Sequence, residues 1–520
     1  MPRYAAIDIG SNSVRMLAAE ANPGGGLRVL AEDRQVTRIG ESVFAEGVVS
    51  QQTLDLVMSV LRRMRKTIDP LNVAGMRAVA TSAVRDSRNQ REFLRRANAE
   101  LGIEVEIISG LEEARLIHHG VVAEAAFTRG RQLLIDIGGG SAEFILNENG
   151  TMKGAYSKPL GAVRLWQSFL STDPATPQAL QQLEQYIGEK IHEAVNEFGT
   201  GGIDFAIGTS ASASAAVSAI REIPRAKRES ANGVSVSREE LARLYRRLAP
   251  MTVDERRDVT GIGPRRAEII VPGVALLARA LEKFGVGRLV YSNAGVRDGI
   301  VLDLAARGVG IERMTLTDEQ RAVVEGLANQ FGVSLPRARE AARFALDLYI
   351  GLEQLHQLPH TYGRILEAAA YLHDIGHFIS ATRHHKHSHY IVSGVDLPSF
   401  TESERRQIAV LCRYHRKSMP VASHEEFTSL PDTEPRAILC LIPLLRIADA
   451  CGRSAERRIS RLTCQPEAST VTIELHHVPP LDLELWAIER NLPIFREVYR
   501  RGVELKLIAT PRVAVENPLP

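Results

Sequence analysis

The sequence predicts an α/β protein built from two copies of one subdomain, followed by an all-helical domain and a small α+β domain at the C-terminus. Three observations lead there. A strand-and-turn motif occurs twice in the first half, the periodicity becomes purely helical after residue 306, and 520 residues exceed what a single core organises.

The repeat is the organising feature. AAIDIGSNSVRML (5–17) and LLIDIGGGSAEFIL (133–146) each run an apolar strand into Asp-Ile-Gly-x-x-Ser, so that Asp8, Gly10 and Ser13 align with Asp136, Gly138 and Ser141. Around them, β-branched runs alternate with helix-period stretches, the pattern of layered α/β folds. Strands are expected at 4–9, 75–81, 105–109, 132–137, 205–208 and 288–292, and the apolar spacing of 51–68 predicts an amphipathic helix. The first subdomain is placed at 1–125 and the second at 126–305, facing each other across a cleft. A helical domain follows over 306–460. The remainder, 461–520, offers strands at 471–475 and 503–509 with helical segments between them.

Composition narrows the function classes. Apolar residues make up 44%, charged residues 24%, and the net charge is only +2, which excludes a uniformly basic nucleic-acid coat. No stretch nears the roughly 20 apolar residues that cross a bilayer. The first ten residues, MPRYAAIDIG, have no signal-peptide pattern, and four cysteines are scattered without a C-x-x-C pair. A cytoplasmic enzyme with no membrane or DNA partner is expected. The basic runs LRRMRK (61–66) and PRAKRE (224–229) read, each alone, as solvated surface.

A strand that ends in a tight Gly/Ser turn gathers backbone N–H groups at one point, where they bind phosphate oxygens. Ser11, Asn12, Ser13, Gly138, Gly139, Gly140 and Ser141 are therefore expected to hold phosphates. A carboxylate would repel phosphate directly, but it suits a hard cation that bridges the two. Asp8 and Asp136 are thus the expected Mg²⁺ ligands, direct or through water. Glu143, just past the second loop, is a candidate for positioning water or metal.

The loops resemble the phosphate motifs of the actin-like ATPase superfamily, with its duplicated ribonuclease H-like subdomains. AVATSAVRDSRN (78–89), IISGLEEARLIHHGV (107–121), LGAVRLWQSF (160–169), RRAEIIVPG (265–273) and SNAGVRDGI (292–300) narrow this further. In order and spacing they resemble the exopolyphosphatase/guanosine pentaphosphate phosphohydrolase (Ppx/GppA) family. The resemblance implies Mg²⁺-dependent hydrolysis of the terminal phosphoanhydride of inorganic polyphosphate, with guanosine pentaphosphate as a second substrate and a homodimer as the working form. It implies Glu113 as catalytic base, Arg85 as a phosphate contact, and Gly208 and Thr209 as a substrate-lining turn; Arg266 and Arg297 are weaker candidates. Taken alone, a glutamate in a first helical turn also serves the helix dipole. Glu112 should point elsewhere, because adjacent helical residues diverge by about 100°.

Nine of the fifteen histidines lie between His356 and His415. AAAYLHDIGHFIS (368–380) carries the His373-Asp374 pair that marks HD phosphohydrolases, so this helical region is expected to be HD-like. Its metal set would be His373, Asp374, His415 and Asp449, with His387 and His389 as further candidates. The histidine that such enzymes carry some thirty residues earlier is absent from 337–350, which favours a degenerate site. A channel lined by His384, His385, Lys386, His387, Arg413 and Lys417 is the other use of this region. Two further functions stay open: an HD-type nucleotide phosphohydrolase, and a non-enzymatic regulator that binds polyphosphate or guanosine alarmones.

Overall fold

Each Asp-Ile-Gly-x-x-Ser segment ends one strand and starts the next, and this hairpin seeds each of two sheets. The computed structural model describes residues 1–21, 26–307, 314–428, 430, 434–453 and 458–509. The chain forms two units, Met1–Gly310 and Ile311–Pro520.

In the first unit, β1 (Arg3–Ile9) pairs antiparallel with β2 (Ser13–Ala21), which pairs with β3 (Leu27–Val36). On the other side β1 runs parallel to β4 (Gly75–Ala80), and β4 to β5 (Val105–Ile107), giving the order β3-β2-β1-β4-β5. The second sheet repeats the plan. β6 (Arg131–Ile137) pairs with β7 (Ala142–Glu148) and β7 with β8 (Thr151–Lys158), all antiparallel. β9 (Phe205–Thr209) and β11 (Arg288–Tyr291) extend the sheet in parallel, and β10 (Ser235–Ser237) adds an antiparallel edge. All six expected strands are present. β2, β3, β7, β8 and β10 are additions that the strand reading did not name.

The expected helix forms over Gln51–Ile68, capped by Ser50 and burying Leu54, Val57, Leu61 and Met64. The basic residues of the run 61–66 lie on its solvated side as expected, with Arg62 paired to Glu100 and Arg63 to Asp33. The helix Val296–Ala306, at the end of the second copy in sequence, returns to pack on β1, β2 and the helix Gly110–Val122. Its Ile300, Val301 and Leu304 share a core with Tyr4, Ala6 and Leu116. A cut at 125/126 therefore misses how the first lobe is completed.

The second unit is helical from Asp318–Gln330 to Glu434–Cys451, followed by a sheet of β12 (Ile459–Pro466), β13 (Thr470–His477) and β14 (Gly502–Ala509). β12 was not expected. Its Arg, Gln and Pro break the alternation of apolar residues, and only pairing with β13 buries Ile459 and Leu462. The sheet is not a separate core. Ile473, Leu475 and Phe495 lie in one apolar cluster with Phe344, Tyr349 and Leu445, so the expected domain at 461–520 is part of the helical unit. Among the described residues no helix is long and apolar enough to cross a membrane.

Candidate active site

The first unit holds a cavity of about 630 Å³ that both Gly/Ser turns line. In each turn the chain reverses through one bond, Gly10 N–H to Ser13 O at 3.1 Å and Gly138 N–H to Ser141 O at 3.0 Å. The loop carbonyls are taken up behind. Gly40 N–H donates to Ser11 O at 2.7 Å, and Ala162 and Val163 N–H donate to Gly138 O and Gly139 O at 3.0 Å each. With those carbonyls engaged, loop N–H groups are what remains for an anion. Of the expected phosphate ligands, Ser11, Asn12, Ser13, Gly138, Gly139, Gly140 and Ser141 all line the cavity.

The two loops also touch. A Cβ on Gly139 would stand 2.9 Å from Ser11 Cβ, and one on Gly161 would stand 2.3 Å from the backbone of Gly139 and Gly140. Backbone cannot yield as a side chain can. Gly161→Ala is therefore expected to displace the second loop and lower turnover about 10²-fold, the usual result of a misplacement near 1 Å. Phosphate release and a melting curve on the same preparation check this; a folded variant with full turnover would contradict it.

Four carboxylates meet beside the loops. Asp8 faces Arg15 across the first hairpin, and at the same register Asp136 faces Glu143 across the second. The duplicated position thus holds a base in one copy and an acid in the other. Glu113 enters from the helix Gly110–Val122, whose cap Ser109 accepts from Glu112 N–H at 3.2 Å. Glu112 points the other way, as expected, into a buried network with Arg77 (3.1 Å) and Arg115 (2.7 Å). That helix lies close against Val296–Ala306, where a Cβ on Gly299 would stand 1.8 Å from Leu116 O.

These acids are held away from their ordinary state. Burial first, then Glu143, pushes the Glu113 carboxyl well above the usual range. Burial and the neighbouring Asp136 carry Glu143 up to about 8. Asp8 and Asp136 are also raised, chiefly by burial. Glu113 Oε2 and Glu143 Oε2 have no hydrogen-bond partner among the described residues. Buried, mutually repelling oxygen donors are a set that fits a hard divalent cation, so Asp8 and Asp136, with Glu113 and Glu143 near them, are suited to hold Mg²⁺.

Other expected residues are placed differently. Arg85 does not line the cavity; its Nη1 donates to Ile108 O at 2.5 Å and lies 3.9 Å from Glu113 Oε2. Its position suits steadying Glu113 rather than gripping phosphate. Gly208 is packed under Leu289 and Ala213 within β9, and the Thr209 hydroxyl donates to the Asp136 carboxylate, so neither lines the cavity. The fully buried Glu143 accepts from Ser157 Oγ at 2.8 Å, and it too is absent from the lining.

The strongest feature was legible only in part, through the weaker candidates Arg266 and Arg297. Arg15, Arg34, Arg225, Arg228, Arg266 and Arg297 all line the cavity. Burial and the neighbouring arginines push Arg266 down to about 9 and Arg34 to about 10, and lower Arg297. At these values Arg266 and Arg34 still carry charge at neutral pH. Arg225 and Arg228 come from the run at 224–229, which is largely solvent-exposed as expected, yet these two also line the cavity. Six guanidinium groups around one cavity are a built receptor for a polyanion.

In the second unit the expected His-Asp set does come together. His373 Nε2 lies 3.3 Å from Asp449 Oδ1 and 3.6 Å from Asp374 Oδ2, and His415 Nε2 lies 3.9 Å from Asp374 Oδ1. Arg337 has entered it: its Nη2 lies 2.8 Å from Asp449 Oδ1 and 3.3 Å from Asp374 Oδ2. Burial alone would lower His373, but Asp374 and Asp449 outweigh it and raise the ring to about 9. Burial and the His373 charge take His415 down to about 3.

Fold and cleft together define the class, a duplicated α/β protein with an arginine-lined cleft between its two hairpin loops. The chain matches the Ppx/GppA phosphatase family over residues 17–307 and domain III of that family over 320–483, and it belongs to the Ppx/GppA phosphatase family. Among solved structures, an exopolyphosphatase-like protein is 27% identical with a TM-score of 0.55, covering 58% of this chain and 97% of its own. The Aquifex aeolicus family member is 25% identical (TM-score 0.53), covering 59% of this chain and 98% of its own. An exopolyphosphatase from Cytophaga hutchinsonii is 26% identical (TM-score 0.53), with the same two coverages of 59% and 98%.

Proposed function

We propose that this chain is an exopolyphosphatase that hydrolyses the terminal phosphoanhydride of inorganic polyphosphate, with Mg²⁺ held by Asp8 and Asp136 and Glu113 as general base. The juxtaposition of four strained carboxylates with six cleft arginines carries this reading. The name of the Cytophaga hutchinsonii relative supports the substrate.

Phosphoanhydride hydrolysis asks mainly for positioning and charge neutralisation. The loop N–H groups and the guanidiniums of Arg15, Arg34, Arg228 and Arg266 would hold the phosphate chain and absorb the charge that builds on its oxygens. Glu113 would take a proton from the attacking water, with Arg85 steadying its carboxylate. Mg²⁺, when bound, supplies positive charge at the acidic end of the cleft. Guanosine pentaphosphate presents the same terminal phosphates and is the second substrate, and a homodimer the proposed assembly. Hydrolysis at the His373-Asp374 pair is disfavoured by Arg337, whose guanidinium already bridges Asp374 and Asp449.

A phosphate-release assay of the full chain with Mg²⁺, comparing long polyphosphate with guanosine pentaphosphate, tests the reading. Release from neither substrate would overturn it in favour of a binding protein. The pH profile carries a further expectation. Because Glu113 and Glu143 (about 8) are raised, the rate should rise with pH as they ionise. A bound cation favours the charged carboxylates, so raising Mg²⁺ should move that rise to lower pH. A profile indifferent to Mg²⁺ would separate these acids from the metal.

A further inference from the structure

The second unit holds a cluster that the cleft chemistry does not use. Asp374 divides its two oxygens. Oδ2 faces Arg337 at 3.3 Å and His373 at 3.6 Å, and is neutralised there. Oδ1 faces three imidazoles instead: His384 Nε2 at 3.5 Å, His377 Nε2 at 3.6 Å and His415 Nε2 at 3.9 Å.

The tautomers follow from the backbone. A carbonyl oxygen can only accept, so a ring nitrogen bonded to one must carry the proton. His415 Nδ1 lies 2.8 Å from Cys412 O, and His384 Nδ1 lies 3.2 Å from Ala381 O. Both rings therefore turn a bare Nε2 lone pair inward, and those two atoms stand 3.1 Å apart. Two lone pairs at that distance repel unless something positive joins them. A second proton is disfavoured, since both rings are buried and Arg416 Nη1 lies 3.2 and 3.3 Å from the two nitrogens of His384. Arg416 Nη1 is within hydrogen-bond reach of His384 Nε2, a contact that a bound metal would replace. Histidine that donates through Nδ1 to a carbonyl and offers Nε2 inward is the usual arrangement of a metal ligand.

We propose that Asp374 Oδ1 with Nε2 of His384 and His415, and His377 on the solvent side, form a binding site for one divalent transition metal of the zinc class. It differs from the set expected from the His-Asp motif, because Arg337 takes the charge position between Asp374 and Asp449 while the histidines on the other side face Asp374 Oδ1. The spacing fits. Ligand atoms around a tetrahedral zinc with arms of about 2.0–2.1 Å stand about 3.3–3.4 Å apart. Imidazole-rich donor sets favour zinc, iron, nickel or copper over Mg²⁺, which prefers oxygen. His377, with a side chain 47% exposed, stands at the way in.

Cobalt(II) is the probe, because its visible absorption reports nitrogen coordination. Full-length protein, stripped with chelator and titrated with Co²⁺, should take up one equivalent with imidazole-type bands and melt at a higher temperature. The bands should persist in Asp136→Asn, which disables the cleft, and vanish in the His384→Ala/His415→Ala double variant. Should that variant fail to fold, His377→Ala, a change at a half-exposed position, should still weaken Co²⁺ binding at least about tenfold. A wild-type chain without nitrogen-coordinated Co²⁺, or bands unchanged in His377→Ala and in any folded double variant, would overturn the proposal.

Discussion

Glu113→Gln is expected to lower phosphate release by about 10²–10⁴-fold, the range of a lost general base, while polyphosphate still binds. Glutamine keeps the size of the side chain and removes only its ability to accept the proton. The cleft arginines that hold the chain are untouched, so the loss should fall on kcat and spare KM. The change also relieves a strain. Glu113 is buried beside Glu143, and burial holds its carboxyl far above the ordinary range. The variant should consequently be no less stable than the parent in the absence of divalent cation. Steady-state kinetics with long polyphosphate and a melting curve in chelator check both halves. Turnover within a few-fold of the parent would remove Glu113 from the reaction and direct attention to Glu143.

Asp303→Ala is expected to destabilise the chain by about 3–5 kcal/mol, the cost of breaking a buried charge network by removing one partner. Asp303 lies 2.9 Å from Arg115, 3.2 Å from Arg77 and 2.8 Å from Arg307, all of them buried. Without it, Arg77 keeps Glu106 and Glu112, Arg115 keeps Glu112, and Arg307 loses this carboxylate. The network joins the helix Val296–Ala306 to β4, β5 and the helix that carries Glu113, so activity should fall together with stability. Its pH dependence has a definite sign. Burial alone would raise Asp303, but Arg115, Arg307 and Arg77 outweigh it and hold the carboxyl far below its usual value near 3.9. Its contribution is complete above that value and is lost as the pH falls below it. Urea unfolding at neutral and acidic pH measures this. A loss under about 1 kcal/mol would place Asp303 among screened surface pairs.

The difference between Glu112 and Glu113 shows how much was legible in the chain. Helical geometry alone sends neighbours in different directions, and in the structure one enters an ion network while the other lines the cleft. Arg34 shows the opposite case. It sits on β3, a strand with no fully buried residue, and nothing near it in sequence marks it as a ligand. Arg225 and Arg228 belong to a basic run whose ordinary fate is a solvated loop. Arg337 reaches Asp449 across 112 residues, and that contact turns an expected metal half-site into an ion pair.

What the sequence determines by itself is therefore local and periodic. It contains the duplicated strand and turn, the loops that close on their own backbone, the helix that starts at Ser109 and the His373-Asp374 pair. Adjacent residues and hydrogen bonds of short span decide these. Only the tertiary structure decides which charges are left unbalanced: Asp8, Glu113 and Asp136 with six arginines around one cavity, Glu143 buried behind them, and three imidazole nitrogens around one aspartate oxygen. Electrostatic energy depends on distance through space and on exclusion of water, and neither is written in the order of residues along a chain.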